Sequence, residues 1–302
     1  MPGKGHSNQS IMKFFPRLFS YTAALLLAGC ALAPVNYEAG DAPQAAPVDR
    51  VQSARPVVGL VLGAGGSRGF AHIGVIKALE TAGIRPDLVV GVSSGAVVGA
   101  LYAAGMDARA LEAAALEVED NDLIDFTLFG PAMVEGARLQ DFINGATGNR
   151  PIEKLSLPFA AVAAESGSNR MTVFNRGNTG IAVRASASVP RLFWPVIIRG
   201  TEYVDGGLAS RVPVSVARAM GADLVIAVDV SRRGSVDADA ADVVIRPAVI
   251  RTRITDFSRK LDNLAAGETA ARAALPRVST LMARLSADNL STGRAASGLT
   301  RN

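Results

Sequence analysis

Asp87-Leu88-Val89-Val90 is a short apolar run, and Ala96 to Ala104 is a longer run of small apolar residues. Between them lies Gly91-Val92-Ser93-Ser94-Gly95. The first run has the length of a buried strand and the second that of a buried helix. The chain must therefore turn sharply from strand to helix at Ser93. A nucleophile elbow sits at such a turn, and its serine needs small residues two positions to either side. The helix N-terminus beyond it offers unpaired N–H groups and a positive dipole end. Taken alone, the five residues fit an ordinary strand–turn–helix equally well, because glycine and serine are common turn residues. The motif thus constrains the fold before it constrains the chemistry.

A second strand–loop–helix precedes it. Val57 to Leu62 is a continuous apolar run, as expected of a strand covered on both faces. It opens into Gly63-Ala64-Gly65-Gly66-Ser67-Arg68-Gly69, and Phe70 to Ala82 carries Ile73, Ile76 and Leu79 at helical spacing, ending near Gly83. A glycine loop in this place presents backbone N–H groups to an anion. The pyrophosphate of a dinucleotide would want a third glycine where Arg68 stands, and an acid after the next strand, which ends instead in Gly91-Val92-Ser93. The oxyanion of a tetrahedral intermediate fits better, with a candidate nucleophile on the next strand; one such donor is worth roughly 3–4 kcal/mol. Tight strand–helix packing without any ligand is the bland alternative.

A serine nucleophile usually takes its base from histidine. This chain has two histidines, His6 and His72. His6 falls in the signal segment described below, and His72 lies one turn into the helix after the glycine loop, where a structural role is the default. Either Ser93 is not catalytic or its base is a carboxylate. Asp205, in Tyr203-Val204-Asp205-Gly206-Gly207, follows an expected hairpin over residues 199–204 and can approach another backbone closely through its two glycines. Asp229, at the end of the strand Leu224 to Val228, ranks second.

The N-terminus reads as a targeting segment. Lys4, Lys13 and Arg17 precede the apolar run Phe19 to Ala28, which is too short to span a bilayer but suits a signal peptide. It ends in Leu27-Ala28-Gly29-Cys30, which resembles a bacterial lipobox, and Cys30 is the chain's one cysteine. The resemblance implies lipidation at Cys30, and Ala31 after it implies an outer-membrane anchor. Met12 would begin a signal of more typical length. Loss of Lys4, Lys13 and Arg17 lowers the formal charge from +4 to +1, which removes the case for nucleic acid as partner. Residues 30–55, rich in alanine and proline, read as a disordered tether. Residues 56–250 form the expected catalytic domain and residues 251–302 a basic helical extension.

The glycine loop continuing into Phe70-Ala71-His72-Ile73-Gly74-Val75, then Gly91 to Gly95, then Ala185-Ser186-Ala187-Ser188-Val189-Pro190, then Asp205-Gly206-Gly207, resembles in that order the patatin-like phospholipase family. The resemblance covers roughly Val57 to Val230. It implies a three-layer α/β/α fold with a mainly parallel sheet, with Ser93 as nucleophile, Asp205 as base, and Gly65, Gly66, Ser67 and Arg68 as the oxyanion loop. It implies phospholipid or lysophospholipid acyl esters as substrates, membrane lipid as partner and no cofactor or metal. One departure is Ala64, where the family often has glycine; alanine fits only with a negative φ. Hydrolysis of small esters or thioesters, and a catalytically silent lipid-binding lipoprotein, are the alternative functions.

The remaining expectations are structural. Strands alternate with helices along the chain, as in a parallel sheet covered on both faces. Phe126 to Pro131 is expected to be core rather than a substrate lip. Leu192-Phe193-Trp194-Pro195 lines an acyl pocket or anchors the core. In the extension, Ile254, Phe257, Leu261, Leu264 and Ala265 share a helical face, Pro276 ends the helix, and the last dozen residues are unstructured. That helix is expected to pack on the domain with its arginines in solvent, or else to touch anionic lipid.

Overall fold

The computed structural model describes Met1 and residues 34–38, 40, 42–128, 130–231, 234–250 and 252–298. The expected signal segment and Cys30 lie outside these residues. Nine strands form one sheet: β1 (Asn36–Tyr37), β2 (Val58–Leu62), β3 (Leu88–Val92), β4 (Phe159–Glu165), β5 (Met171–Phe174), β6 (Val196–Ile198), β7 (Thr201–Asp205), β8 (Leu224–Val228) and β9 (Val243–Ile245). The helices are α1 (Phe70–Thr81), α2 (Ser94–Ala103), α3 (Ala108–Glu117), α4 (Asp120–Leu123), α5 (Ala137–Ala146), α6 (Thr179–Ala187), α7 (Val214–Ala219) and α8 (Lys260–Gly298). The strand order is β1-β6-β7-β4-β3-β2-β8-β9, with β5 on β4. The central strands β4, β3, β2, β8 and β9 run parallel, while β5 and β7 meet β4 antiparallel.

The continuous apolar runs follow from burial on both faces. Along β2, Leu60 and Leu62 enter one core with α1, α2, α3, α6 and α8, while Val61 enters a second core with Val214 and Val216 of α7. Each such side chain contributes about 1.5–3 kcal/mol when fully buried. Caps set the helix starts: the Asp107 carboxylate accepts from Ala110 N–H at 2.8 Å, and the Asn178 side chain accepts from Ile181 N–H at 2.9 Å. The β6–β7 hairpin turns through Arg199 (φ 51°) and Gly200 (φ 75°), which delivers Asp205 to the middle of the sheet.

Three expectations are corrected. The tether is not free of the domain: residues 36–37 add a parallel strand to β6, Gln44 bridges Arg176, and Val51 N–H donates to Met220 C=O at 2.8 Å. Tyr37 anchors this stretch, donating to Gln140 at 2.8 Å and accepting from Arg184 at 2.9 Å. Strand addition at a sheet edge uses backbone groups, which composition does not reveal. Pro276 does not stop the last helix, which runs from Lys260 to Gly298 and into the stretch expected to be unstructured. Proline removes one backbone bond, but the helix is held on both sides of it, with Ala271 and Val278 both fully buried. It lies against α1 at two glycines: a Cβ on Gly74 would come 1.9 Å from Leu264 O, and one on Gly267 2.0 Å from Ala71 O. The helix starts only at Lys260, so Ile254 and Phe257 belong to a non-helical segment and Leu261 is exposed. Finally, the loop after Ile124 is surface: Phe126 and Leu128 are 61% and 95% exposed.

Candidate active site

Ser93 stands at the end of β3 with φ 54° and ψ −124°. A non-glycine residue there costs of the order of 1–3 kcal/mol and persists only where neighbours hold it. Ser186 of α6 does so: its Oγ accepts from Ser93 N–H at 2.9 Å and donates to Val162 C=O of β4 at 2.5 Å. The flanking glycines are needed for backbone approach. A Cβ on Gly95 would lie 2.1 Å from Leu62 O, and one on Gly91 would lie 2.5 Å from Ala96 Cα.

Sheet register brings the acid to the serine. Val92 pairs with Val162, so Ser93 comes level with Ala163, and Ala163 pairs on its other side with Asp205. Residues level across a sheet share a face. Only an alanine methyl therefore stands between the two side chains. Asp205 N–H is held by Ser188 C=O at 2.8 Å, so the segment 186–188 positions both residues. Oδ1 of Asp205 accepts from Gly207 N–H at 2.8 Å, whereas Oδ2 is buried and accepts nothing. Burial pushes the Asp205 carboxyl up to about 6, against the opposing pull of the Ser93 hydroxyl, the Gly207 N–H and the Arg211 charge. The hydroxyl is near enough to influence the carboxyl without a full hydrogen bond to Oδ2. Unliganded catalytic pairs are commonly loose in this way.

The glycine loop between β2 and α1 faces the elbow, since a Cβ on Gly69 would touch Ser94 Cβ at 2.5 Å. Gly65 and Gly66 keep free N–H groups among the described residues. Gly66 has φ 58°, which favours glycine, while Ala64 does not have the positive φ that would have excluded alanine. Ser67 and Arg68 are corrected to supporting roles. Ser67 N–H is spent on Ile254 C=O at 2.9 Å, and Arg68 N–H on Gly65 C=O at 3.3 Å. The Arg68 guanidinium also holds Val230 C=O at 2.9 Å. His72 is a brace: its Nε2 bonds Gly63 C=O at 2.9 Å, and burial lowers its pKa to about 4, so it is neutral. Asp229 is a brace too, accepting from Ser231 and Ser235 N–H groups.

The family model described as patatin-like phospholipase matches residues 60–218, more than half the chain. The chain belongs to the patatin-like phospholipase family. An uncharacterised NTE family protein of Mycobacterium tuberculosis is 34% identical over 266 residues, covering 83% of this chain and 45% of the relative. Mouse patatin-like phospholipase domain-containing protein 6 is 36% identical over 188 residues, covering 60% of this chain and 14% of the relative. The chain thus spans half or less of the length of these curated relatives. VipD of Legionella pneumophila shares the fold, with a TM-score of 0.56 at 13% identity over 81% of this chain and 70% of that one.

In this patatin-like site a cavity of about 140 Å³ opens on Ser93. Its walls are apolar, from Ile73 of α1, Val97 and Leu101 of α2, Leu111 of α3, and Phe142 of α5. Phe193 joins the wall, whereas Trp194 does not; its indole N–H braces the 130–134 loop by donating to Ala132 C=O at 3.0 Å. Two unpaired buried oxygens, Asp205 Oδ2 and Ser94 Oγ, belong to residues in contact with or adjacent to Ser93. Buried polar atoms rarely go unpaired outside functional sites. Among the described residues no cluster of His, Cys, Asp and Glu fits a metal, and no helix is long and apolar enough to cross a membrane. The sequence reading missed Ser186, Ser188 and the segment 252–257 as parts of the site. Ser186 and Ser188 were visible as one block of the resemblance, but their partners on β3 and β7 are far away in sequence.

Proposed function

We propose that the chain hydrolyses the acyl ester bonds of phospholipids or lysophospholipids through a Ser93–Asp205 dyad. One observation carries the reading: an unpaired, buried carboxylate oxygen beside a strained serine that opens into an apolar cavity. Asp205 takes the Ser93 proton as Oγ attacks the ester carbonyl. The carbonyl oxygen becomes an oxyanion within reach of the Gly65 and Gly66 N–H groups. The intermediate collapses, the ester C–O bond breaks, and the leaving alcohol takes the proton from Asp205. Water then gives a proton to Asp205 and attacks the acyl-enzyme, and Ser93 recovers its proton as the fatty acid leaves. A carboxylate is a weak base at neutral pH, and the raised pKa of Asp205 brings it closer to the operating range. The relatives' family and the apolar walls support a lipid acyl chain as the bound group.

The proposal extends to location. Lipidation at Cys30 would leave six residues before the docked strand at Asn36, a reach of about 20 Å. The domain would then sit on a short leash at the membrane surface.

The test is fatty-acid release from mixed phospholipid vesicles, with a short nitrophenyl ester alongside, by wild type, Ser93→Ala and Asp205→Asn. Release that both substitutions abolish is the expected result. Ser93-dependent hydrolysis of the short ester alone would move the substrate to small esters. No turnover of either substrate by folded wild type would sink the hydrolase reading in favour of a silent lipid-binding protein.

A further inference from the structure

Residues 252–257 lie outside the matched family region and fold back onto the glycine loop. Ser67 N–H donates to Ile254 C=O at 2.9 Å. The Ser67 hydroxyl donates to Arg253 C=O at 2.9 Å and lies 2.7 Å from Thr252 Oγ1. The Ile254 side chain fills the space beside Gly66, where a Cβ would come 2.8 Å from Ile254 Cγ2. Phe257 packs edge-on against Phe70 of α1, with ring centroids 5.2 Å apart at 78°. Both ends of the segment are fixed. Ile250 N–H donates to the buried Asn263 side chain at 2.8 Å, and Lys260 Nζ holds the carbonyls of Leu116 and Val118 at 2.9 and 2.8 Å. A segment that served only to cover the loop would need no side chain in the cavity. Here Ile254, Thr255 and Phe257 line the same cavity as Ser93, opposite Leu111 and Leu139.

We propose that this strap is a specificity-determining and positioning element of the site. Ile254 and Phe257 set which acyl chains the cavity admits. Ser67 ties that wall to the loop whose Gly65 and Gly66 N–H groups face the oxyanion. Acyl-chain fit and oxyanion-loop geometry are then mechanically joined. The proposal rests on the acyl-ester reading above.

Two substitutions separate the two roles, each compared with wild type on a short and a long nitrophenyl ester. Phe257→Ala enlarges the wall and should raise the long-over-short ratio of kcat/KM about tenfold, with Phe257→Leu in between. Ser67→Ala removes the hydroxyl tie and should lower kcat about tenfold on both esters, with KM moving less than about twofold. In parallel, fatty acids of two lengths compete against a fluorescent fatty acid for Ser93→Ala protein, with and without Phe257→Ala. A shifted chain preference in this binding assay, without hydrolysis by wild type, would uphold the strap and overturn the ester reading. Hydrolysis by wild type with an unchanged preference in Phe257→Ala protein of native melting temperature would overturn the strap and leave that reading standing. Absence of both hydrolysis and fatty-acid binding would overturn both. Should Phe257→Ala not fold, Ile254→Val reads the same ratio with a smaller expected shift.

Discussion

Asp205 and Asp229 are two aspartates at strand ends, both buried, and they do opposite things. Asp229 spends Oδ1 on Ser231 N–H and Oδ2 on Ser235 N–H, with the Arg246 guanidinium 3.5 Å away. Asp205 has one backbone donor on Oδ1 and leaves Oδ2 bare beside Ser93. Burial alone disfavours a carboxylate, and donors decide whether that cost is offset. A saturated carboxylate is a brace. A half-saturated one has a raised proton affinity and an oxygen free to receive a proton. The difference lies in the loops that follow: Gly206-Gly207 offers one N–H, whereas the turn after Asp229 offers two and a cation.

Exchanging each acid for its amide should break the comparison most visibly. Asp205→Asn, like Ser93→Ala, is expected to lower kcat by about 10³–10⁴ in the vesicle assay, the scale of losing a positioned base or nucleophile. Asp229→Asn should retain turnover within about tenfold and instead lose roughly 1–3 kcal/mol in urea unfolding. Equal losses of activity from both amides would erase the distinction.

The space between Ser93 and Asp205 gives the next largest effect. Ala163 stands level with both, so Ala163→Leu should force them apart and cost about 10²-fold in kcat, the scale of an ångström of misplacement. Wild-type kcat in that variant would mean the two residues do not work across β4.

The pH dependence sharpens the comparison further. Since Asp205 must be ionised to act as base, kcat/KM should fall as pH drops through about 6, with the midpoint absent from Asp229→Asn as a shifted feature. Stability has the opposite sign. A folded pKa raised from 3.8 to about 6 means the folded state holds the proton more tightly, so stability declines as pH rises across that window. The ionised group then costs of the order of 3 kcal/mol at neutral pH. Asp205→Asn should therefore raise the melting temperature at pH 8 and not at pH 4. A lower melting temperature at pH 8 would show that the carboxylate is paired after all.

The smallest expected effect belongs to the histidine. His72→Gln keeps a donor for Gly63 C=O and should leave the pH midpoint of kcat/KM in place, with activity within about tenfold. A displaced midpoint would make His72 part of the proton path.

Much of this site was legible in the chain, for definite reasons. The elbow, the glycine loop and Asp-Gly-Gly are local motifs, and each required its glycines because backbone passes within 2–3 Å of where a side chain would be. The histidine count pointed to a carboxylate base before any geometry was known. What was misread shares another property. The docking of residues 34–51, the course of α8 through Pro276 and the strap at 252–257 all depend on partners more than a hundred residues away or on backbone hydrogen bonds, which leave little trace in composition.

The sequence by itself determined the strand–turn–helix units, the buried parallel sheet and the candidate residues Ser93 and Asp205, because hydrophobic periodicity and glycine placement act over a few residues. Only the tertiary structure decided which N–H groups of the glycine loop stay free, which of the two strand-end acids is left half-paired, and what walls the cavity. Those outcomes turn on hydrogen-bond partners brought in from β4, α6 and the C-terminal strap. A polar group's chemistry in a buried site is set by the partners it is denied as much as by those it has, and the fold alone distributes them.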